Sequence, residues 1–202
     1  MKIPDLKPIE EYVLERLSKE LSVHLSYHSL FHTSKEVVPA STQLSKMEKL
    51  EEEENVILIA AAWFHDLGFI YTRDDHEGYS IAAAREFLPK NGFKDHQVEK
   101  VCGIIEATRL QRIPQTLSEK IIKDADLFSL GKENFLKRSD DLRQELTFFG
   151  ADYNDQTWYI YQIDFLEKHD YFTESAKAFQ NAGKSKNLDL LRVLLDESQC
   201  SK

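Results

Sequence analysis

Apolar residues in this chain recur mostly at the spacing of an α-helix. One set occupies positions i, i+3, i+4 and i+7, which lie on one helix face: Val98, Val101, Cys102 and Ile105. A set of aromatic residues with similar spacing follows Asn154 and Asp155, two residue types that commonly cap a helix start: Trp158, Tyr161 and Phe165. No long stretch alternates apolar and polar residues as a half-buried strand would. The pattern therefore predicts an all-α fold.

The same periodicity predicts nine helices that form a bundle. Their predicted bounds are roughly 8–22, 27–50, 54–68, 76–90, 94–110, 116–130, 133–148, 154–169 and 173–196. Pro39 should kink or interrupt the second helix, because proline lacks a backbone N–H and its ring clashes with the preceding turn. The stretch Val56–Phe64 is apolar on every side, so its helix should be buried.

The composition agrees with a globular helical protein. Hydrophobic residues make up 42% of the 202 residues and aromatic residues 11%, which is enough for a sizeable core. Only 7 glycines and 5 prolines are present, and this scarcity of turn formers argues against a β-sandwich or barrel. No repeat, low-complexity linker or composition break marks a second domain, so a single domain is expected over residues 1–202.

The net charge and the cysteine content argue against several classes of protein. The formal net charge of −9 argues against general nucleic-acid binding, and an anionic substrate would need a local positive centre such as a divalent cation. Cys102 and Cys200 form no CxxC pair, which argues against a disulfide framework and fits a reducing cytoplasm. The first residues carry no apolar signal-peptide core, and the longest apolar run is far shorter than the ~20 residues of a membrane span. A soluble cytoplasmic protein without a membrane partner is expected.

Two histidine-containing segments could bind a metal or take part in catalysis. His65-Asp66 directly follows the apolar run, and a buried imidazole and carboxylate need hydrogen bonds or a cation to offset their lost hydration. His28 and His32 lie four residues apart, on one face of the predicted second helix. They could point at a single site, since imidazole is the commonest metal ligand, or be ordinary helix histidines.

A third segment contains two aspartates between large apolar residues, Asp124 and Asp126. At least one of them should face inward, where it needs a partner. Asp124 could instead cap a turn or pair with Lys123, so an inward position is favoured more for Asp126.

In order, these segments read His32, His65-Asp66 and Asp126, and the arrangement resembles the HD-domain superfamily of metal-dependent phosphohydrolases, whose signature is H…HD…D on a helical scaffold. The surrounding blocks are similar as well: YHSLFHTSKEV, AAAWFHDLGF and KIIKDADLFSLG. The resemblance covers about residues 24–131, and the helical extension 132–202 is similar to the end of small stand-alone bacterial members. It implies an HD-domain helical bundle.

The resemblance implies one bound divalent metal with four protein ligands: His32, His65, Asp66 and Asp126. Two imidazoles and two carboxylates suit Mn²⁺, Fe²⁺, Co²⁺, Ni²⁺ or Zn²⁺ better than Ca²⁺. It also implies a small phosphorylated substrate, a nucleotide or another phosphate ester, hydrolysed by a water that the metal activates. Asp66 and His28 are the expected catalytic residues, with His28 as the general acid that protonates the leaving oxygen. Asp124 is the alternative to Asp126 for the fourth ligand, and otherwise it is expected, with Ser80, to contact the ligands from behind.

Further residues are candidates for contacts with the substrate. His76 and Ser80, which share a helix face, resemble the element that follows the HD pair and approaches the phosphate or a second metal. Three positive side chains are the nearest in sequence and could hold a phosphate, although each is also typical of an ordinary surface charge: Arg73, Arg109 and Lys123.

Two features distinguish this chain from other branches of the superfamily. Two-metal members carry a further histidine near the end of the helix predicted at 94–110, where this chain has Thr108-Arg109, so one metal is expected and a di-iron oxygenase is disfavoured. No Gly-Tyr-Pro motif follows the HD pair, which argues against a cyclic-di-GMP hydrolase. A regulatory HD module that binds a nucleotide or metal without hydrolysis stays an alternative, although His28 and His76 favour an enzyme. A homodimer is compatible with the sequence.

Overall fold

The computed structural model describes residues 3–200, most of which are helical. This part of the chain contains no strand and nine α-helices: α1 Lys7–Glu20, α2 Val38–Met47, α3 Glu52–Phe64, α4 His76–Phe87, α5 Asp95–Ala107, α6 Leu117–Asp126, α7 Phe135–Phe148, α8 Asp155–Lys168 and α9 Glu174–Cys200. Shorter helical segments connect some of them: a π-helical segment at His32–Val37 and 3-10 turns at Leu67–Ile70, Pro89–Asn91 and Phe128–Gly131. The predicted all-α fold is confirmed. Within residues 3–200, no helix combines the length and apolar character needed to cross a membrane.

Each predicted helix has a counterpart, and the second one departs most from its predicted bounds. Its start was expected at residue 27, but residues 26–29 form bends and the helix begins at Leu30. The first part is π-helical, and the regular α-helix starts at Val38 with Pro39 in its first turn. Proline has no N–H to donate, and the change from π-helical to α-helical hydrogen bonding coincides with this residue, although the helical segment from Leu30 to Met47 is not interrupted as the sequence predicted.

The described residues divide into two compact units, 3–22 with 28–126 and 23–27 with 127–200. In the first unit α3 is central and packs against α1, α2, α5 and α6. Ile57 and every residue from there to Phe64 are buried, as the apolar run predicted. Three glutamates lie in the first turn of α3, where the helix dipole favours negative charge. The residues that directly follow α3 are therefore held by a helix packed on several sides.

In the second unit α8 and α9 pack against each other, and α9 also contacts the turn Phe128–Gly131. Its core contains four buried apolar residues: Leu130, Phe135, Leu166 and Leu191. The N-cap expected for α8 is present, since the side chain of Asn154 accepts a hydrogen bond from the Thr157 N–H at 2.9 Å. The division into two compact units does not test whether residues 1–202 form a single domain, so the single domain stays a prediction.

Candidate metal centre

The His65-Asp66 pair lies at the C-terminal end of α3, in the first unit. His65 is completely buried, and its Nδ1–H donates to the carbonyl oxygen of Ala62 at 2.8 Å. This bond fixes the tautomer and leaves Nε2 as the ring atom available to a metal. Nε2 of His65 and Oδ2 of Asp66 lie 3.4 Å apart, yet neither atom makes a hydrogen bond. Buried polar atoms are rarely left in this state unless a water or an ion satisfies them.

His32 reaches the same place from the π-helical segment. Its Nδ1 lies 3.0 Å from Oε2 of Glu36, and its Nε2 lies 3.0 Å from Oδ1 of Asp126. Both ring nitrogens of His32 therefore face carboxylate oxygens, and this arrangement favours the protonated imidazole when no cation is bound. Burial by itself would lower the pKa of His32, but the hydrogen bonds to Asp126 and Glu36 outweigh it and raise the pKa to about 10.

Asp126, the last residue of α6, supplies the fourth predicted ligand. Its Oδ1 is 3.6 Å from Nε2 of His65 as well as 3.0 Å from Nε2 of His32. Burial would raise the pKa of Asp126, but the two imidazoles hold it well below its usual range. The structure thus brings together the four residues that the sequence singled out as ligands.

This donor set fits a divalent cation. One ligand atom each from His32, His65 and Asp66 lies within 4.8 Å of the others, and Asp126 contacts both imidazoles. Metal ligation requires neutral imidazoles and ionised carboxylates, so a cation would take the place of the protons shared between these groups. The unpaired buried atoms Nε2 of His65 and Oδ2 of Asp66 would become its ligands. A centre of mixed nitrogen and oxygen donors is typical of a transition metal.

His28 and His76 lie beside these residues but come from other segments. His28 is in the bend that precedes the second helix. The prediction that His28 and His32 share one helix face was therefore wrong. The ring centroid of His28 is nevertheless 6.2 Å from that of His32. His76 is the first residue of α4, and its Nδ1–H donates to the carbonyl oxygen of Arg73 at 3.1 Å. Nε2 of His76 lies 3.7 Å from Oδ1 of Asp66, the carboxylate oxygen opposite to the one near His65.

Arg109, one of the cations predicted to hold a phosphate, is engaged by acidic residues of α4 and the turn before it. Its Nη2 donates to Oδ1 of Asp75 at 2.6 Å, and its Nη1 donates to Oε2 of Glu77 at 3.1 Å. These ion pairs account for the position of the guanidinium group without any substrate.

Lys123 also has internal partners. Its ammonium group donates to the carbonyl oxygens of Ala107 and Arg109 at 3.0 and 2.8 Å, at the C-terminal end of α5. Burial lowers the pKa of Lys123. Arg73 is half-buried. The phosphate-binding roles of these three side chains stay predictions.

Ser80 and Asp124 lie inside the fold near the ligands. The Ser80 hydroxyl donates to the carbonyl oxygen of His65 at 2.7 Å and accepts from the Gly68 N–H at 2.8 Å, which ties α4 to the turn after α3. A Cβ atom on Gly68 would lie 1.8 Å from the carbonyl oxygen of His76, so only glycine permits this approach. Asp124 is completely buried in α6, whereas the side chain of Asp126 is 27% exposed, so the prediction that Asp126 is the more inward of the two aspartates was wrong.

The sequence analysis overlooked three residues of this centre: Glu36, Phe69 and Glu77. Glu36 follows His32 by four residues, a spacing typical of side-chain pairs on a helix, so a local signal existed. Glu77 is 8% exposed, and its Oε1 lies 3.5 Å from Nε2 of His76, the residue directly before it. The ring of Phe69 stacks on the imidazoles of His28 and His76, and no sequence spacing predicts these contacts because they depend on tertiary packing.

A protein-family model described as HD domain matches residues 30–131, which is half of the chain and includes all four predicted ligands. A search among curated proteins finds no significant match.

Several solved structures have a similar fold. A predicted HD superfamily hydrolase from an uncultured Thermotogales bacterium is 22% identical, with a TM-score of 0.66 over 97% of this chain and 94% of that one. Bacillus subtilis YpgQ, solved in complex with ADP, is 18% identical, with a TM-score of 0.70 over 95% and 93% of the two chains. The Lin1889 protein from Listeria innocua is 20% identical, with a TM-score of 0.66 over 96% and 99%. At these identities the similarity shows the fold alone.

Proposed function

This chain belongs to the HD-domain family, part of a superfamily of metal-dependent phosphohydrolases, and from that premise we propose that it hydrolyses a nucleotide or another small phosphate ester. One observation carries the proposal: two imidazoles and two carboxylates converge, and the buried Nε2 of His65 and Oδ2 of Asp66 have no hydrogen-bond partner. A bound divalent cation would polarise a phosphoryl oxygen and make a coordinated water acidic.

The remaining side chains support hydrolysis rather than binding alone. His28 lies beside the ligand His32 and is half-buried, so it can hold a proton near the reacting group and pass it to the leaving oxygen. His76 presents Nε2 towards Asp66 and Glu77 at 3.7 and 3.5 Å, next to the same centre. A regulatory module that only binds a ligand has no need of a proton donor at this place.

Nucleotides are suitable first substrates to test. The similar structure of YpgQ contains ADP, which supports a nucleotide as the substrate of this chain as well. The net charge of −9 would repel such an anion from most of the surface, so binding would depend on the local charge of the loaded centre.

The proposal is tested by loading the purified chain separately with Mn²⁺, Co²⁺, Ni²⁺ and Zn²⁺ and measuring phosphate or pyrophosphate release from nucleotides and other phosphate esters. We expect about one metal ion per chain and hydrolysis that a chelator abolishes. Asp66→Ala should lose both the metal and the activity, because it removes a carboxylate from a buried cationic centre. Asp74→Ala, at an exposed aspartate on the loop before α4, is the matched control and should retain both.

Elemental analysis tests the assignment of the metal ligands, and the activity assay tests the proposed hydrolysis. Full metal occupancy in the Asp66→Ala variant would contradict the ligand assignment. A wild-type protein that binds metal but hydrolyses no phosphate ester would contradict the proposed activity and favour a regulatory nucleotide-binding or metal-binding module.

A further inference from the structure

Phe69 contacts the two histidines that lie beside the metal ligands. It belongs to the 3-10 turn Leu67–Ile70 directly after the HD pair and is 7% exposed. Its ring stacks on that of His28 with the centroids 4.3 Å apart, and on that of His76 with the centroids 3.9 Å apart. In both contacts the ring planes differ by 21°. One aromatic ring therefore packs against two imidazoles from separate segments.

The two imidazoles lie close to each other as well as to the ligands. Their ring centroids are 6.4 Å apart, which places both within reach of one small group. His28 comes from a bend and His76 from the first turn of α4. Because the two residues lie on separate segments, no shared helix fixes one imidazole relative to the other. The ring of Phe69 is a contact common to both.

Phe69 is itself anchored to the ligand-bearing turn. Its backbone N–H donates to the carbonyl oxygen of Asp66 at 3.1 Å. The preceding residue, Gly68, is bonded to Ser80 of α4. The ring that packs against both imidazoles is therefore placed by the same turn that places the ligands His65 and Asp66.

We propose that Phe69 is a positioning residue, which holds the imidazoles of His28 and His76 in a fixed orientation towards the metal centre. The inference rests on the proposed function. A proton donor is effective only when it stands within hydrogen-bond reach of the leaving oxygen, and a misplacement of about 1 Å can lower a rate by about 10²-fold. Stacking of aromatic rings restricts both the distance and the tilt of the imidazoles, which an aliphatic side chain of similar size would not do.

The test compares Phe69→Leu with Phe93→Leu. Phe93 is also buried in the first unit, at 4% exposure, but lies between α4 and α5, so it controls for the loss of a buried ring. In Zn²⁺-loaded protein the ring protons of His28 and His76 are assigned with the His28→Gln and His76→Gln variants, and the nuclear Overhauser contact between the two imidazoles should weaken in Phe69→Leu and stay unchanged in Phe93→Leu. Metal content and KM should be retained in Phe69→Leu, while kcat should fall roughly 10- to 100-fold.

An unchanged nuclear Overhauser contact between the two imidazoles in Phe69→Leu, or an equal loss of it in Phe93→Leu, would overturn the assignment. Should Phe69→Leu fail to fold, the wild-type protein provides a second measurement. Nuclear Overhauser contacts between the Phe69 ring protons and those of both imidazoles support the proposal, and their absence overturns it. These spectra need no substrate, so they test the positioning of the two imidazoles even if no phosphate ester is hydrolysed.

Discussion

His32 and His65 offer the same ring atom to the centre but differ in what holds the other ring nitrogen. Nδ1 of His32 faces the carboxylate of Glu36, whereas Nδ1 of His65 faces the carbonyl oxygen of Ala62. A carboxylate partner increases the electron density of the imidazole, so His32 should be the stronger donor to a cation. The residue types of the ligands could be predicted from the sequence. The partner of each second nitrogen could not, because it depends on how the segment carrying each histidine is rotated in the fold.

At the residue scale, His28 can be tested by comparing two kinds of substrate. His28→Ala should leave the metal content intact, because the four proposed ligands remain. Loss of a positioned general acid should lower kcat by roughly 10²–10⁴-fold for an ester with a poor leaving group. The loss should be smaller for p-nitrophenyl phosphate, whose leaving group needs little protonation. Steady-state kinetics with both esters measure this difference.

The matched control is His96→Ala, a half-exposed histidine in the first turn of α5 with a side-chain exposure of 56%, which should change neither rate. Equal losses with both esters, together with loss of the metal, would make His28 a ligand or a structural residue instead of a proton donor.

At the scale of elements, the positions of the helices were predictable because a buried apolar stripe is a local property of the sequence. Their ends were less predictable where the hydrogen-bond pattern changes without a break in the chain. The helix expected at 54–68 is α-helical only to Phe64 and continues after His65-Asp66 as the 3-10 turn Leu67–Ile70. The π-helical segment His32–Val37 likewise continues the helix that begins at Leu30, and no glycine or proline within it marks the change of hydrogen-bond pattern.

The packing of α9 gives a prediction about two glycines in helices. Gly183 of α9 lies against the turn Phe128–Gly131, and a Cβ atom at this position would be 1.9 Å from the carbonyl oxygen of Gly131. Gly183→Ala must therefore displace one of the two backbones, and we expect it to lower the free energy of unfolding by about 1–3 kcal/mol, as overpacking usually does. Urea denaturation followed by circular dichroism measures this change.

Gly103 of α5 is the matched control, because it is exposed and a Cβ atom there would meet nothing within 4 Å. Gly103→Ala should raise the free energy of unfolding by about 0.5–1 kcal/mol, since alanine restricts the unfolded chain more than glycine does. Equal effects of the two substitutions would mean that α9 does not approach the turn as closely as described.

At the scale of the whole molecule, the sequence predicted the fold class and the family but not the division into two compact units. The second unit includes residues 23–27, which are separated in the chain from 127–200 and joined to them by tertiary hydrogen bonds. One of these runs from the Tyr27 N–H to Oε2 of Glu145 at 3.0 Å. No composition break accompanies such a discontinuous unit, because the partners are defined by packing and not by a linker.

The metal should contribute to the stability of the first unit as a whole, because its proposed ligands come from the π-helical segment, the end of α3 and the end of α6. A cation bound only by the folded state stabilises it by about 2.7 kcal/mol when the free metal is 100 times the Kd. Removing the metal with a chelator should then lower Tm by roughly 5–10 °C for a chain of this size, as measured by differential scanning calorimetry with and without added metal. The Asp66→Ala variant, which lacks a ligand, should melt at the same temperature in both conditions. An unchanged wild-type Tm after verified metal removal, or an equal decrease in the variant, would show that the four residues do not hold a cation that links these segments.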